Sequence, residues 1–150
     1  MTILRNRRHV PGGRRGQALV ELAFALPIFL VILLGLIEGG RYVFYSETLA
    51  HAAREGARYA IIHGENAEAG PPTGPGSADP DGEAIKQAIR DSALGLGNPV
   101  SIVIPKPVYV PDNNRRGSLV TVTLNYSYMP VVPVFGSITV KAEASLVINN

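Results

Sequence analysis

Residues 17–37 of the chain read QALVELAFALPIFLVILLGLI, and Glu21 is the single charged residue among them. A helix needs about 20 mostly apolar residues to cross the roughly 30 Å hydrocarbon core of a bilayer. This stretch therefore predicts a membrane-spanning helix. Pro27 lies inside it, and membrane helices tolerate proline, usually with a kink.

The residues before this stretch are strongly basic. Residues 1–16 contain five arginines and no acidic residue. Because basic flanks of a span stay in the cytoplasm, this leader predicts a cytoplasmic N-terminus and an extracytoplasmic C-terminal part. Without the leader, nine basic residues face twelve acidic ones, a net charge of −3. The basic balance of the whole chain therefore gives no reason to expect nucleic-acid binding.

A cleaved secretory signal peptide is the competing interpretation of the apolar stretch. Such a signal has a shorter apolar core and a small-residue cleavage site soon after it. Here residues 38–41 read EGGR, and the first Ala-x-Ala lies further on, at 50–52, within a charged helical pattern. The sequence favours an anchor that stays in the inner membrane.

The helical pattern continues beyond the apolar stretch. Small and aromatic residues recur three and four positions apart and form one stripe: Tyr42, Tyr45, Leu49, Ala52, Ala53, Gly56 and Ala60. We predict one helix over 17–62, with a membrane-spanning start and a soluble stalk, which stops at Gly64. Gly35 and Gly39 form a GxxxG motif, which permits close contact between helices.

Three charged residues, Arg54, Glu55 and Arg58, lie mostly off this stripe. They are candidates for a charged contact between subunits. The alternative is that they form the solvated face of the helix, which is favoured because isolated surface pairs contribute little.

The C-terminal part changes its pattern twice. Residues 63–82 are rich in Gly and Pro and are expected to be a linker, whereas 83–94 predict a short amphipathic helix. We then predict strands at 100–104, 119–128 and 138–148, with a short edge strand from Tyr109.

Each long predicted strand has one apolar face, as an antiparallel sheet covered on one side requires. The helix at 83–94 is the expected cover. The predicted fold class is α+β: a long transmembrane helix that continues into a stalk, then a small extracytoplasmic domain over 83–150.

Residues with catalytic or metal-binding chemistry form no recognisable constellation. The chain has no cysteine, which excludes disulfides and thiolate catalysis. His51 and Glu55 are one helical turn apart but lack the further ligands of a zinc site. Asp112, Asn113 and Asn114 predict a turn, because the loop lacks the closing Glu of a calcium-binding EF-hand. We expect no enzyme activity, cofactor, metal or small-molecule substrate.

Glu21 is the most informative polar residue. An ionisable side chain inside a membrane span is costly and is a functional candidate by default. The alternative is that it lies near enough to the cytoplasmic surface to stay hydrated. A basic leader ending in Gly16, then four residues, then Glu21 and a long apolar helix is specific as a combination.

This combination, RRG-QALVE-LAFALPIFLVILLGLI over 14–37, resembles the class III signal of type IV pilins and pseudopilins. The resemblance implies that a membrane-embedded prepilin peptidase cleaves between Gly16 and Gln17 on the cytoplasmic side. Cleavage would expose a cationic amine at Gln17. The Glu21 carboxylate of a neighbouring subunit could pair with that amine and set the axial register between subunits.

A second signature, AHAAREGARYAIIHG over 50–64, is similar to the TadE-like family of the tight-adherence (Flp, type IVc) pilus systems. That resemblance implies a minor pseudopilin in pilus assembly, with other pilin-like subunits as partners. The predicted packing surface is Gly35, Gly39, Tyr42, Tyr45, Ala53 and Gly56. The alternative function is an uncleaved single-pass anchor that presents a small ligand-binding or adhesive domain, and a membrane-tethered hydrolase ranks last.

Overall fold

The predicted α+β class is confirmed. The computed structural model describes residues 13–68, 70–96, 101–131 and 136–149, with side chains from residue 16 onward. In these residues, helix α1 is Gly13–Ile62 and helix α2 is Glu83–Ser92. The strands are β1 (Ile102–Val103), β2 (Val108–Val110), β3 (Leu119–Tyr128) and β4 (Ile138–Val147).

Helix α1 ends at Ile62, where its end was predicted, but begins at Gly13, four residues before the predicted start at Gln17. Arg14 and Arg15 are good helix formers, so the helix extends back into the basic leader. The helix also continues through Pro27. The leader residues 1–12, with Arg5, Arg7 and Arg8, lie outside the described residues.

The chain divides into two compact units. The first is Met1–Ile37, and the second is Glu38–Asn150. The predicted divisions at residues 62 and 82 both fall inside the second unit. The C-terminal half of α1 therefore belongs to the same compact unit as α2 and the sheet.

Strand β3 organises the sheet, in which all described pairings are antiparallel. It pairs with β4 along its whole length, from Leu119 opposite Val147 to Tyr128 opposite Ile138. Its other edge carries two short strands end to end, β1 near the C-terminal end of β3 and β2 near its N-terminal end. Side chains of β3 alternate between buried and more exposed, as the period of two predicted.

The core of the second unit lies between the inner face of the sheet and two helices. Helix α2 contributes Ile85 and Ile89, both fully buried. Helix α1 contributes five residues with no exposed surface: Leu49, Ala52, Ala53, Ala57 and Ala60. The short helix was the expected cover, and the structure adds the part of α1 that was predicted to be a stalk. Four of these five α1 residues are alanines, which let the helix approach its neighbours closely.

Gly56 lies at a close contact between the two helices. A Cβ atom at this position would lie 2.6 Å from Ile89 Cδ1 and 3.5 Å from Val122 Cγ1. The first distance is shorter than real Cβ contacts allow, so only glycine fits without a shift of Ile89. The contact joins α1, α2 and β3 at one point.

The described residues of the Gly/Pro segment 63–82 form no helix or named strand, but they pack on the rest of the second unit. Thr73 is buried, and its N–H donates to the His63 carbonyl oxygen over 2.8 Å. The buried Asn114 side chain donates from Nδ2 to the Thr73 carbonyl oxygen over 3.0 Å. These bonds tie the middle of the segment to the end of α1 and to the turn before β3.

The end of the same segment caps α2. The Asp79 carboxylate accepts hydrogen bonds from the N–H groups of Glu83 and Ala84, over 2.8 and 3.0 Å. These are free donors of the first helical turn, and a carboxylate there also complements the positive end of the helix dipole. Asp79 therefore caps the helix, because Gly82, immediately before the helix, has no side chain that could do so.

Gly56→Ala is expected to destabilise the second unit by about 1–3 kcal/mol, because the added methyl group overpacks the contact with Ile89. Gly40→Ala is the matched control on the same helix, since a Cβ there meets nothing within 4 Å. Thermal unfolding of the full chain in detergent micelles, followed by tyrosine fluorescence, would compare the two variants. Equal melting temperatures of the two variants would show that an added methyl group at residue 56 does not destabilise the second unit.

Candidate assembly and anchor site

The first unit presents a helix whose apolar side chains are uncovered. Between Leu19 and Ile37, all large apolar residues except the half-buried Leu34 are exposed, from 40% at Leu33 to 73% at Phe24. Helix α1 is long and apolar enough to cross a membrane, and none of its most apolar window is buried within the chain. A helix that is apolar on all sides and uncovered by its own chain suits a lipid environment.

The predicted processing and register residues lie on this uncovered helix. Gly16, Gln17 and Glu21 are all exposed. Glu21 makes no hydrogen bond or ion pair with the residues that the structure describes. Gly35 and Gly39 also face open space, since a Cβ on either would meet nothing within 4 Å. These five residues are free for contacts outside the chain.

The predicted packing stripe divides at about Tyr45. Tyr42 is exposed, whereas Tyr45 is half-buried and its ring packs edge-on against Tyr126 and Tyr128 of β3. Ala53 and Gly56 are buried against this chain's own α2 and sheet. Ala53 and Gly56 thus pack within this chain, and their expected role in contacts between subunits stays a prediction.

The charged residues near this stripe lie on its solvent side. Arg54 and Arg58 are exposed, and Glu55 is half-buried. Arg58 Nη1 lies 4.0 Å from Glu55 Oε2, between side chains that are largely accessible to solvent. A pair of this kind contributes about 0–1 kcal/mol. The geometry agrees with a solvated helix face, and a contact between subunits at these residues stays a prediction.

Glu38, the first residue of the second unit, fastens the end of β3 to α1. Its Oε2 accepts hydrogen bonds from Arg41 Nη1 over 3.2 Å and from the Val131 N–H over 3.0 Å. Arg41 Nη2 in turn donates to the Met129 carbonyl oxygen over 3.4 Å and to the Tyr45 hydroxyl over 3.3 Å. We call Glu38, Arg41, Met129 and Val131 the Glu38 clamp. The sequence showed the Glu38–Arg41 spacing but gave no signal for the contacts with Met129 and Val131, directly after β3.

Three tyrosines surround this clamp. The Arg41 guanidinium carbon lies 5.6 Å from the ring centre of Tyr45 and 5.3 Å from that of Tyr128, within the range of cation–π contacts. The Tyr126 hydroxyl donates to the Leu96 carbonyl oxygen over 3.0 Å. The rings close the end of the core that adjoins Glu38.

The electrostatics of the clamp favour a neutral Tyr128. Its hydroxyl and Glu38 Oε1 are both buried, and neither completes a hydrogen bond with another described residue. Burial, reinforced by the neighbouring Glu38 carboxylate, raises the pKa of Tyr128. Burial likewise raises the pKa of Tyr126. Ionisation of Tyr128 would place a second negative charge in an enclosed site beside Glu38.

The turn over 111–117 uses its polar side chains internally. Asn113 Oδ1 accepts hydrogen bonds from the Arg115 N–H over 3.1 Å and from the Ser118 hydroxyl over 2.6 Å. Asn114 is occupied with Thr73. In the described part of the chain, no three His, Cys, Asp or Glu residues are grouped closely enough to hold a metal ion. The arrangement fits the predicted turn.

One comparison with known proteins gives a match, and it covers the N-terminal part of the chain. The family model described as TadE-like protein matches residues 16–58. Residues 16–58 are similar to this family, and we call them the TadE-like segment. No curated protein and no solved structure gives a significant match to the chain.

The TadE-like segment begins at Gly16 and includes Glu21, the apolar stretch, the Glu38 clamp residues of α1 and Gly56. The resemblance to the TadE-like family is therefore confirmed over this segment, whereas the resemblance of 14–37 to a class III signal stays a prediction. The family suggests a component associated with the Tad pilus, and the uncovered apolar helix suggests a membrane anchor.

Tyr128→Phe is expected to reduce the fall in the free energy of unfolding that occurs as the pH rises above about 10. Because the folded-state pKa is raised above its value in the unfolded chain, about 10, stability is full below about pH 10 and falls as pH rises through the folded pKa. The variant cannot ionise at this position and should lose less stability than Tyr42→Phe, which removes an exposed hydroxyl.

Urea unfolding of the full chain in detergent micelles, from neutral pH to about pH 11, measures this difference. The two variants have the same number of tyrosines, so they differ only in which hydroxyl is removed. Identical curves of unfolding free energy against pH for Tyr128→Phe and Tyr42→Phe would contradict the conclusion that ionisation of a buried Tyr128 destabilises the fold.

Proposed function

We propose that the protein is a minor pseudopilin of a Tad (type IVc) pilus, a structural subunit with no enzymatic role. It is inserted in the inner membrane by the N-terminal part of α1, with its N-terminus in the cytoplasm and its second unit outside. A prepilin peptidase cleaves it between Gly16 and Gln17. Other pilin-like subunits then pack against the apolar part of α1.

One observation carries this proposal: Glu21 is exposed on an uncovered apolar helix, within the TadE-like segment, and has no counter-charge among the described residues. Insertion scales give about 2.5–3.5 kcal/mol for a charged side chain at the centre of a membrane span, and an unpaired carboxylate nearer its end carries part of that cost. A cationic amine from a second subunit, freed by cleavage at Gln17, removes that cost. Pairing of this kind would also fix how far one helix is displaced along another.

The packing surface that supports this proposal is narrower than the sequence indicated. Gly35 and Gly39 lie on the uncovered helix and leave space for a neighbouring helix, and Tyr42 is also exposed. Ala53 and Gly56 are used inside the subunit. Assembly contacts through α1 are accordingly proposed for the exposed residues of 17–42.

Gly16→Val is expected to block processing. With the cognate prepilin peptidase co-expressed, intact-mass measurement of the membrane-extracted wild type should show loss of residues 1–16, with Gln17 as the new N-terminus. The variant should keep the leader. Gly40→Val is the matched control, since a Cβ at either glycine meets nothing within 4 Å, and it should be processed normally.

A wild-type protein that keeps its full leader beside an active peptidase would contradict the proposal. That result would support the alternative, an uncleaved single-pass anchor that presents its second unit as a binding or adhesive module.

Glu21→Gln is expected to reduce incorporation into sheared pilus fractions by at least about tenfold, because the amine of the neighbouring subunit is left unpaired in lipid. Glu47→Gln makes the same chemical change at an exposed position of the second unit and is the control. Quantitative immunoblotting of pilus and membrane fractions distinguishes loss of assembly from loss of insertion. Equal incorporation of the two variants would contradict a register role for Glu21.

A further inference from the structure

We infer that the loop after β3, at Met129 and Val131, inserts into the headgroup layer of the membrane that holds the anchor. The second unit would then rest on the bilayer through this loop in addition to being tethered by α1. The inference rests on the proposed membrane anchoring and assigns a lipid-contacting surface within the second unit. It follows from where the Glu38 clamp holds the loop and from which side chains the loop exposes.

The clamp sets the level of the loop along α1. Glu38 directly follows Ile37, the last residue of the apolar stretch, and it accepts the Val131 N–H over 3.0 Å. Arg41, one turn further along, holds the Met129 carbonyl oxygen over 3.4 Å. Both bonds join main-chain atoms of the loop to side chains in the first turn beyond the stretch. When residues 17–37 span the hydrocarbon core, the loop is therefore held at the edge of that core.

The loop exposes apolar side chains at this level. Met129 is 70% exposed and Val131 is 55% exposed, although their main-chain atoms are fixed by the clamp. Apolar side chains are stabilising when their surface is removed from water. Because the clamp fixes the backbone here, a covering surface must come from outside this unit. Glu38 and Arg41 bind the main-chain groups of Met129 and Val131, whose side chains stay largely uncovered by the part of the chain that the structure describes.

Neighbouring residues of α1 have the composition expected at this depth. Tyr42 and Val43 are 47% and 58% exposed. They lie four and five residues beyond Glu38, about 6–8 Å along the helix at the standard rise. The headgroup region on each side of a bilayer is about 5–8 Å thick. Tyrosine at the level of the headgroups is typical of membrane proteins, and a helix leaving the core meets this layer on every side.

The test uses the absence of cysteine from the natural chain. Single-cysteine variants Val131→Cys and Met129→Cys are labelled with a polarity-sensitive fluorophore and reconstituted as full chains into phosphatidylethanolamine–phosphatidylglycerol vesicles. Some vesicles contain lipids brominated near the carbonyl end of the acyl chains. Val108→Cys is the matched control, because Val108 is 56% exposed against 55% for Val131. It pairs with Thr121, seven residues and about 24 Å along β3 from Tyr128.

Labels at residues 129 and 131 should be quenched at least about twofold by the brominated lipids, because side chains at the headgroup–acyl boundary lie about 5–10 Å into the membrane surface. The label at Val108 should be unaffected by brominated lipids and accessible to iodide in the buffer. Equal, weak lipid quenching of all three labels would overturn the inference. A second result would also overturn it: labels at 129 and 131 that show no lipid quenching but become shielded from iodide at high protein density. A second protein molecule, and not lipid, would then cover these residues.

A label at Ile32→Cys separates failure of this inference from failure of the proposed function. Quenching at Ile32 by lipids brominated near the methyl end, with none at residues 129 and 131, leaves the anchor intact and overturns only the lipid contact of the loop. Absence of quenching at Ile32 overturns both.

Discussion

Close packing at Gly56 determines how the second unit is built. Ile89 of α2 occupies the space where a side chain of α1 would otherwise lie, and Val122 of β3 completes the contact. The alanines on the same face of α1 extend this approach along the helix, so two helices cover the sheet instead of one. The chain must then return from Ile62 to Glu83 across the surface of the unit, and the hydrogen bonds of Thr73 and Asp79 hold the Gly/Pro segment on that path.

Periodicity in the sequence predicted most of the fold, because it reports which face of an element is buried. The alternation over 119–128 identified the buried side chains of β3, and the stripe from Tyr42 to Ala60 identified the buried face of α1. A pattern of small residues does not show what covers them, since a neighbouring subunit and the chain's own sheet impose the same spacing. Ala53 and Gly56 were expected to face a neighbouring subunit, and in this chain its own α2 and sheet cover them.

Two glutamates illustrate the same distinction at the candidate site. Glu21 was recognisable because the apolar stretch around it is defined by length and charge alone, both of which are local properties. Glu38 accepts the N–H of Val131, which is 93 positions away in the chain, and no local pattern encodes a pairing of that separation. Tyr126 and Tyr128 were predicted to face the core, but their contacts with Tyr45 and Arg41 depend on how α1 lies over the sheet. The helix–sheet junction was therefore the least predictable part of the site.

The outer edge of β4 has a consequence for copies of this protein gathered in one bilayer. Ten residues of this strand pair only with β3 in the described sheet, so their other edge presents main-chain donors and acceptors that could template a strand from a second molecule. Lys141 and Glu143 carry charge at this edge, with Nζ and Oε2 3.7 Å apart. Charged side chains on edge strands discourage such pairing. These charges would disfavour sheet-to-sheet pairing between copies held in one bilayer.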